Sequence, residues 1–361
     1  MLPAHLYQYF YLAVIVIITF FCTSSLLSID VLRKEKPKFF AFIVLIFFIL
    51  FIGFRPIDKA FIDMSDMSFV MGLRQGQDFT FDWNAENLIH DNLYNYWCAK
   101  EFPQGYYFFI YSAIYFSGIY IAARKLFPEN LLLAFVIYLA AFSTFSYGTN
   151  GIKAGVAASL FLIAVAYREK LLIAIPFLLL SLGFHHSMVL PIGAFAIAYF
   201  FHNRKYFLAF WFVCLILSAF HVTYFQELFA GYTDEHGAEY LEILEEREEV
   251  ETATGFRIDF ILYSAIPMFL GFFLAEKKNI KSPMFDFIWC VYTFCNGIWL
   301  LCTYASFTNR IAYLSWSLYP ILLAFPFLAI LWDREQHKYV KYMAWGHLGF
   351  TLFMNLIYYS K

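Results

Sequence analysis

The chain has 361 residues, 62% hydrophobic and only 14% charged, with a formal net charge of −2 and a mean hydropathy of +0.63. A soluble domain carries roughly 45–50% apolar and about 25% charged residues, and a soluble core could not bury this excess under a polar surface. Composition therefore excludes an ordinary globular protein and predicts an all-α, polytopic integral membrane protein, with residues 1–361 forming a single transmembrane domain.

A spanning helix needs about 20 mostly apolar residues. In chain order, such runs lie near 6–28, 38–54, 105–123, 131–147, 151–167, 171–184, 187–201, 206–221, 257–275, 284–303, 309–331 and 340–358. The first has no basic flank and no small-residue cleavage site, so it is expected to stay as a span rather than leave as a signal peptide. The sixth and seventh are short and flank Phe184-His185-His186-Ser187. They read either as two steep spans or as a re-entrant pair, since non-helical backbone at depth is tolerated only inside protein.

Basic residues occupy alternate connections: Arg33 to Lys38, Arg124-Lys125, Arg168 to Lys170, Arg204-Lys205, Lys277 to Lys281 and Arg334 to Lys341. Positive loops stay cytoplasmic, which places both termini and two long loops, 55–104 and 222–256, outside. The first long loop holds two candidate interfacial helices, over 61–73 and around 84–97, the second with Asn84 as a cap. The other loop is acidic from Asp234 to Glu251 and reads as a solvated helix or as a lid over a site. Five of the six cysteines sit in apolar runs, which argues for packing rather than disulfides or metal ligation. No phosphate-cradling glycine loop is present, so nucleotide chemistry has no visible seat.

Ionisable groups in or beside apolar spans are costly and mark functional positions. On the topology above they gather at the outer helix ends: Arg55, Glu101, Lys153, His185, His186, Arg257, Asp259 and Arg310, with Asn150 and Asn309 beside them. Cations are depleted on the outer side, so four of them require partners. One reading is local ion pairing, Arg257 with Asp259 or Arg55 with Glu101, or snorkelling towards headgroups. The other is a polyanion entering from the lipid, pyrophosphate above all, because guanidinium forks match phosphate oxygens. His185 or Glu101 could take a proton from an attacking hydroxyl.

The order of these residues resembles that of the EpsG-like and Wzy-type polysaccharide polymerases. Gly53-Phe54-Arg55-Pro56, with a following Asp (Asp63 or Asp66, the second favoured) and Phe69, is similar to their opening motif. Glu101 with Gly105-Tyr106, Asn150 to Gly155, His185-His186-Ser187, Arg257-Ile258-Asp259-Phe260 and Thr308 to Tyr313 follow in the family's sequence. Lys153 departs from it, standing where Arg is usual, which weakens bidentate phosphate contact there.

The resemblance implies an architecture like the multi-spanning (GT-C-like) glycosyltransferases in a bacterial inner membrane, with a periplasmic site and no cofactor or metal. Its partners would be undecaprenyl-pyrophosphate-linked oligosaccharide donor and acceptor, the bilayer and a chain-length regulator, but no nucleic acid. His185, Glu101, Arg310 and Asp259 become the expected catalytic groups. Arg55, Lys153, Arg257, Asn309, Asn150, His186 and Asp66 become the expected pyrophosphate- and glycan-binding groups. A glycan ligase, a membrane O-acyltransferase and a flippase of lipid-linked oligosaccharides stand as alternatives.

Overall fold

The computed structural model describes residues 2–33, 38–222, 224, 256–304 and 308–358. The described residues form helices and connections with no strand, and the helices gather into two compact units. One comprises Met1–His185 with Phe327–Lys361, the other His186–Pro326. The acidic segment 225–255 lies outside the described residues, as does most of the basic cluster before α3.

In the first unit the helices are α1 (Tyr7–Ser24), α2 (Ile29–Arg33), α3 (Lys38–Gly53), α4 (Ile62–Leu73), α5 (Leu88–Ala99) and α6 (Gln104–Leu126). They are followed by α7 (Leu131–Leu139), α8 (Thr144–Thr149), α9 (Ile152–Ala166) and α10 (Leu171–Phe184). The second unit holds α11 (Val189–Phe200), α12 (Arg204–Ala219), α13 (Ile258–Lys277), α14 (Pro283–Leu301), α15 (Thr308–Trp316) and α16 (Tyr319–Leu328), which ends at the boundary. The last helix, α17 (Gln336–Phe353), returns to the first unit.

Every one of the twelve apolar runs contains a helix, and among the described residues five stretches are both long and apolar enough to cross a membrane. These are Ala4–Ser24, α6, α13, α14 and Thr308–Leu328. The others are shorter or more polar; α9, for example, has 15 residues. The described residues thus make an all-helical, multi-pass membrane protein, in which five stretches reach span length.

The run 131–147 is not one helix. It breaks after α7, and the break is stable because side chains take the carbonyls that a helix end leaves open. The Ile137 carbonyl meets His347 Nε2 at 3.1 Å, and the next three accept from Thr144 Oγ1 (2.7 Å), Tyr11 Oη (2.6 Å) and Thr351 Oγ1 (2.7 Å). Backbone can leave helical geometry deep in the fold only under such conditions.

Each unit is built around one helix buried on nearly all sides, as expected of a helix apolar all round. In the first unit α9 (Ile-Lys-Ala-Gly-Val-Ala-Ala-Ser and onward) packs on α6, α8 and α10. In the second, α14 packs on α11, α12, α13 and α15. The two helices expected in the first long loop are present as α4 and α5, with Asn87, not Asn84, at the cap position of α5.

Candidate functional site

The chain turns sharply between α8 and α9. Thr149 ends α8, Asn150 is extended (φ −123°, ψ 147°), and Gly151 takes a left-handed φ of 69°. An L side chain resists that conformation, so glycine is needed there. Gly155 is required for a different reason: a Cβ on it would stand 2.4 Å from the Tyr147 carbonyl oxygen.

Two charged side chains hold this elbow. Arg55, only 3% exposed, donates from Nη1 to the Ile52 carbonyl (2.8 Å) and from Nη2 to the Thr149 carbonyl (2.9 Å). Both carbonyls lie at C-terminal helix ends, where the backbone dipoles favour a cation. The Phe61 and Phe108 rings face the guanidinium carbon at 5.3 and 5.8 Å. Burial pushes the guanidinium down to about 10, against the opposing pull of Asp63 and then Tyr7, so it stays charged at neutral pH. The second holder is Asp63, whose carboxylate accepts the Gly151 N–H. Asp66, favoured from the motif, is exposed; one turn of α4 separates the two, and only Asp63 has this contact.

Asn150 and Lys153 thereby sit at the start of α9, each half-buried, and the Asn150 side-chain oxygen has no hydrogen-bond partner. Glu101 belongs to another part of the loop. It is exposed, its backbone is left-handed (φ 53°), and its N–H donates to the Cys98 carbonyl at 3.2 Å. Its carboxylate lies against Gly76, 3.0 Å from where a Cβ would be. No Arg55–Glu101 ion pair forms: the two guanidinium contacts go to carbonyls.

A chain of buried groups in the same unit escaped the sequence reading. Tyr107 Oη donates to Tyr111 Oη (2.8 Å), which lies 2.7 Å from His90 Nδ1. Tyr111 also meets the Phe184 ring edge-on, beside His185. The signal was available: the two tyrosines lie four apart on α6, hence on one face.

In the second unit Arg257 grips Asp259 with both forks, Nε to Oδ1 at 2.9 Å and Nη2 to Oδ2 at 2.5 Å, and lies 4.2 Å from the Phe260 ring centroid. Of the two local pairings considered for the outer cations, this one exists. Asn309 and Arg310 are exposed on the first turn of α15. Thr308 anchors that turn by accepting from Trp299 Nε1 (2.9 Å) and donating to the Cys302 carbonyl (3.0 Å). His185 ends the first unit in extended backbone and His186 opens the second in a 3-10 turn, both half-buried.

Charge also gathers at the opposite end of the second unit. Arg204 lies 3.5 Å from Glu276 and 3.3 Å from Asp286 beside a cavity of about 430 Å³. None of the six cysteines is in a disulfide, and no group of three His, Cys, Asp or Glu among the described residues could hold a metal.

The structure therefore brings Arg55, Asp63, Asn150 and the α9 start to one elbow and joins Arg257 to Asp259. It places Glu101 and Asp66 on exposed surface of the first unit. No curated protein and no solved structure matches the chain. A family model does match, over residues 82–361, a stretch that takes in Glu101, the turn between α8 and α9, His185 and His186, and the N-terminal ends of α13 and α15 but begins after Arg55 and Asp63. That match covers well over half of the chain, and the protein belongs to the EpsG family.

Proposed function

We propose that the protein polymerises a bacterial surface polysaccharide from undecaprenyl-pyrophosphate-linked repeat units, at the outer face of the inner membrane, with both termini outside. Membership of the EpsG family is the observation that carries this reading. The cations at the helix ends expected to face outward give it chemical content.

In the reaction, a hydroxyl oxygen of the acceptor glycan attacks the anomeric carbon of the donor. The bond from that carbon to the pyrophosphate oxygen breaks, and the lipid pyrophosphate leaves with the electron pair. Lys153 in the first unit and Arg257 and Arg310 in the second are assigned to the pyrophosphates, where fixed cations stabilise the developing charge. Asp259 holds the Arg257 fork in place, and the bidentate pair supports that role. Asn150, Asn309 and His186 supply neutral polar contacts to glycan or phosphate. His185 or Glu101 receives the hydroxyl proton; His185 is the better placed for proton transfer away from bulk water, because Glu101 is exposed.

The deciding experiment is reconstitution of the purified chain with lipid-linked repeats and separation of products by length. A ladder of products is expected from the wild type. Arg310→Ala should insert normally and yield only single repeats; a normal ladder from that variant overturns the assignment of Arg310, and no ladder from the wild type overturns the polymerase reading.

A further inference from the structure

We propose that Arg55 and Asp63 are positioning residues that pin the elbow between α8 and α9, and that neither binds the pyrophosphate. The consequence for chemistry rests on the pyrophosphate role assigned above to Lys153.

The argument begins with what Arg55 is already doing. A guanidinium that reads phosphate presents its fork to the ligand. Here one arm of the fork is spent on the Ile52 carbonyl and the other on the Thr149 carbonyl, with aromatic rings on two sides and 3% of the residue exposed. Each terminal nitrogen already gives one N–H to a carbonyl, and a pyrophosphate could reach the remaining N–H groups only by opening the buried packing around them, since the residue is 3% exposed. Charge points the same way for Asp63. A carboxylate beside a pyrophosphate repels it, whereas a carboxylate accepting the Gly151 N–H is favourable.

The two contacts also fall on either side of one residue. Arg55 takes the carbonyl before Asn150 and Asp63 takes the N–H after it. Together they fix both peptide groups flanking Asn150. Two glycines complete the pin: the left-handed Gly151, and Gly155, whose missing Cβ lets the Tyr147 carbonyl approach. The direction in which α9 departs, and so where Lys153 stands, follows from those peptides. A basic side chain at a helix start can be aimed by its backbone alone, and this backbone is held from outside the helix.

Two measurements on the full-length protein in micelles test this. The first is hydrogen exchange over residues 147–155, with α6 and α14 as internal controls for folding. Asp63→Ala should speed exchange at this segment by about tenfold or more, the loss expected for a charge-assisted hydrogen bond. Asp63→Asn keeps an oxygen to accept the Gly151 N–H and should restore most of the protection. Unchanged exchange in Asp63→Ala, or Asp63→Asn as unprotected as Asp63→Ala, overturns the pin.

The second is a cycle on polymerisation rate with Asp63→Ala, Lys153→Ala and the double variant. If Asp63 acts through the elbow, the double variant is no slower than the slower single one, and Asp63→Asn retains activity. Losses that multiply would mean that Asp63 meets substrate itself, which overturns the proposal. Should the wild type produce no ladder, the polymerase reading falls, and the pin is decided by exchange alone.

Discussion

The two units solve the same problem, holding helices together where water and lipid offer no partners, with different materials. In the first, helices approach backbone to backbone through small residues. Gly118 of α6 lies against Ser159 of α9, and Gly155 lies under the Tyr147 carbonyl. Its polar side chains reach mostly to carbonyls: Ser181 to Ala157 (2.7 Å), Ser112 to Ile49 (3.2 Å), Tyr11 to Leu139 (2.6 Å). In the second, large rings fill the space and side chains bond to one another. Trp211 donates to Asn296 (2.8 Å), Asn296 to Ser315 (3.1 Å) and Trp316 to Ser264 (2.7 Å). Small residues at close crossings and polar side chains as glue are the two recognised devices of membrane helix packing. The difference teaches where each unit can yield: the first resists added volume, and the second resists loss of a polar partner.

Gly118→Ala should therefore have the largest effect. The new Cβ would meet Ser159 Oγ at 2.7 Å, its Cβ at 2.8 Å and its carbonyl oxygen at 2.9 Å. The last two cannot swing aside, so α6 and α9 must separate, at about 2 kcal/mol by the usual cost of overpacking. SDS-driven unfolding in mixed micelles measures it. A neutral result would show that this crossing is looser than its distances.

Asn296→Leu probes the other material and should cost about 1 kcal/mol. It keeps volume but removes the acceptor of Trp211 and a donor to Ser315, both fully buried links between α12, α14 and α15. Measured interhelical hydrogen bonds in membranes average about 0.6 kcal/mol each. The same SDS titration applies, and the expected order, below Gly118→Ala but clearly above zero, is what sharpens the comparison.

Much of the fold was legible because apolar length is a strong signal: each of the twelve runs carries a helix. The break after α7 was not legible, since the chain stays apolar through Ala140-Ala141-Phe142 and the groups that satisfy its carbonyls come from residues as far away as Thr351. For the site, misplaced charge marked residues that the structure places at or beside helix ends. It could not tell a buried clamp from an open ligand group, because Arg55 and Arg310 look alike as cations after or before apolar runs. One is 3% exposed and bonded to carbonyls, and the other is on the surface. Asp63 and Asp66 were likewise inseparable by motif spacing, and His90 was hidden because its tyrosine partners lie inside a span.

The smallest effect is expected from Gly297→Ala, the same chemical change as Gly118→Ala made in the second unit. Gly297 is itself buried on α14, so burial alone would predict a similar cost. Its added Cβ would stand 2.7 Å from Phe210 Cε1, 3.1 Å from Cδ1 and 3.5 Å from Cys214 Sγ. These neighbours are side-chain atoms, and the Phe210 ring is only half-buried, stacked on Phe294 at 5.1 Å. A ring edge can tilt by a few tenths of an ångström where a helix backbone cannot. Against that strain, alanine gains up to about 1 kcal/mol over glycine in a helix interior. The two terms nearly cancel, so the unfolding free energy should stay within about 1 kcal/mol of the wild type. If Gly297→Ala proves as costly as Gly118→Ala, the second unit is also packed on backbone contact, and the contrast between the units fails.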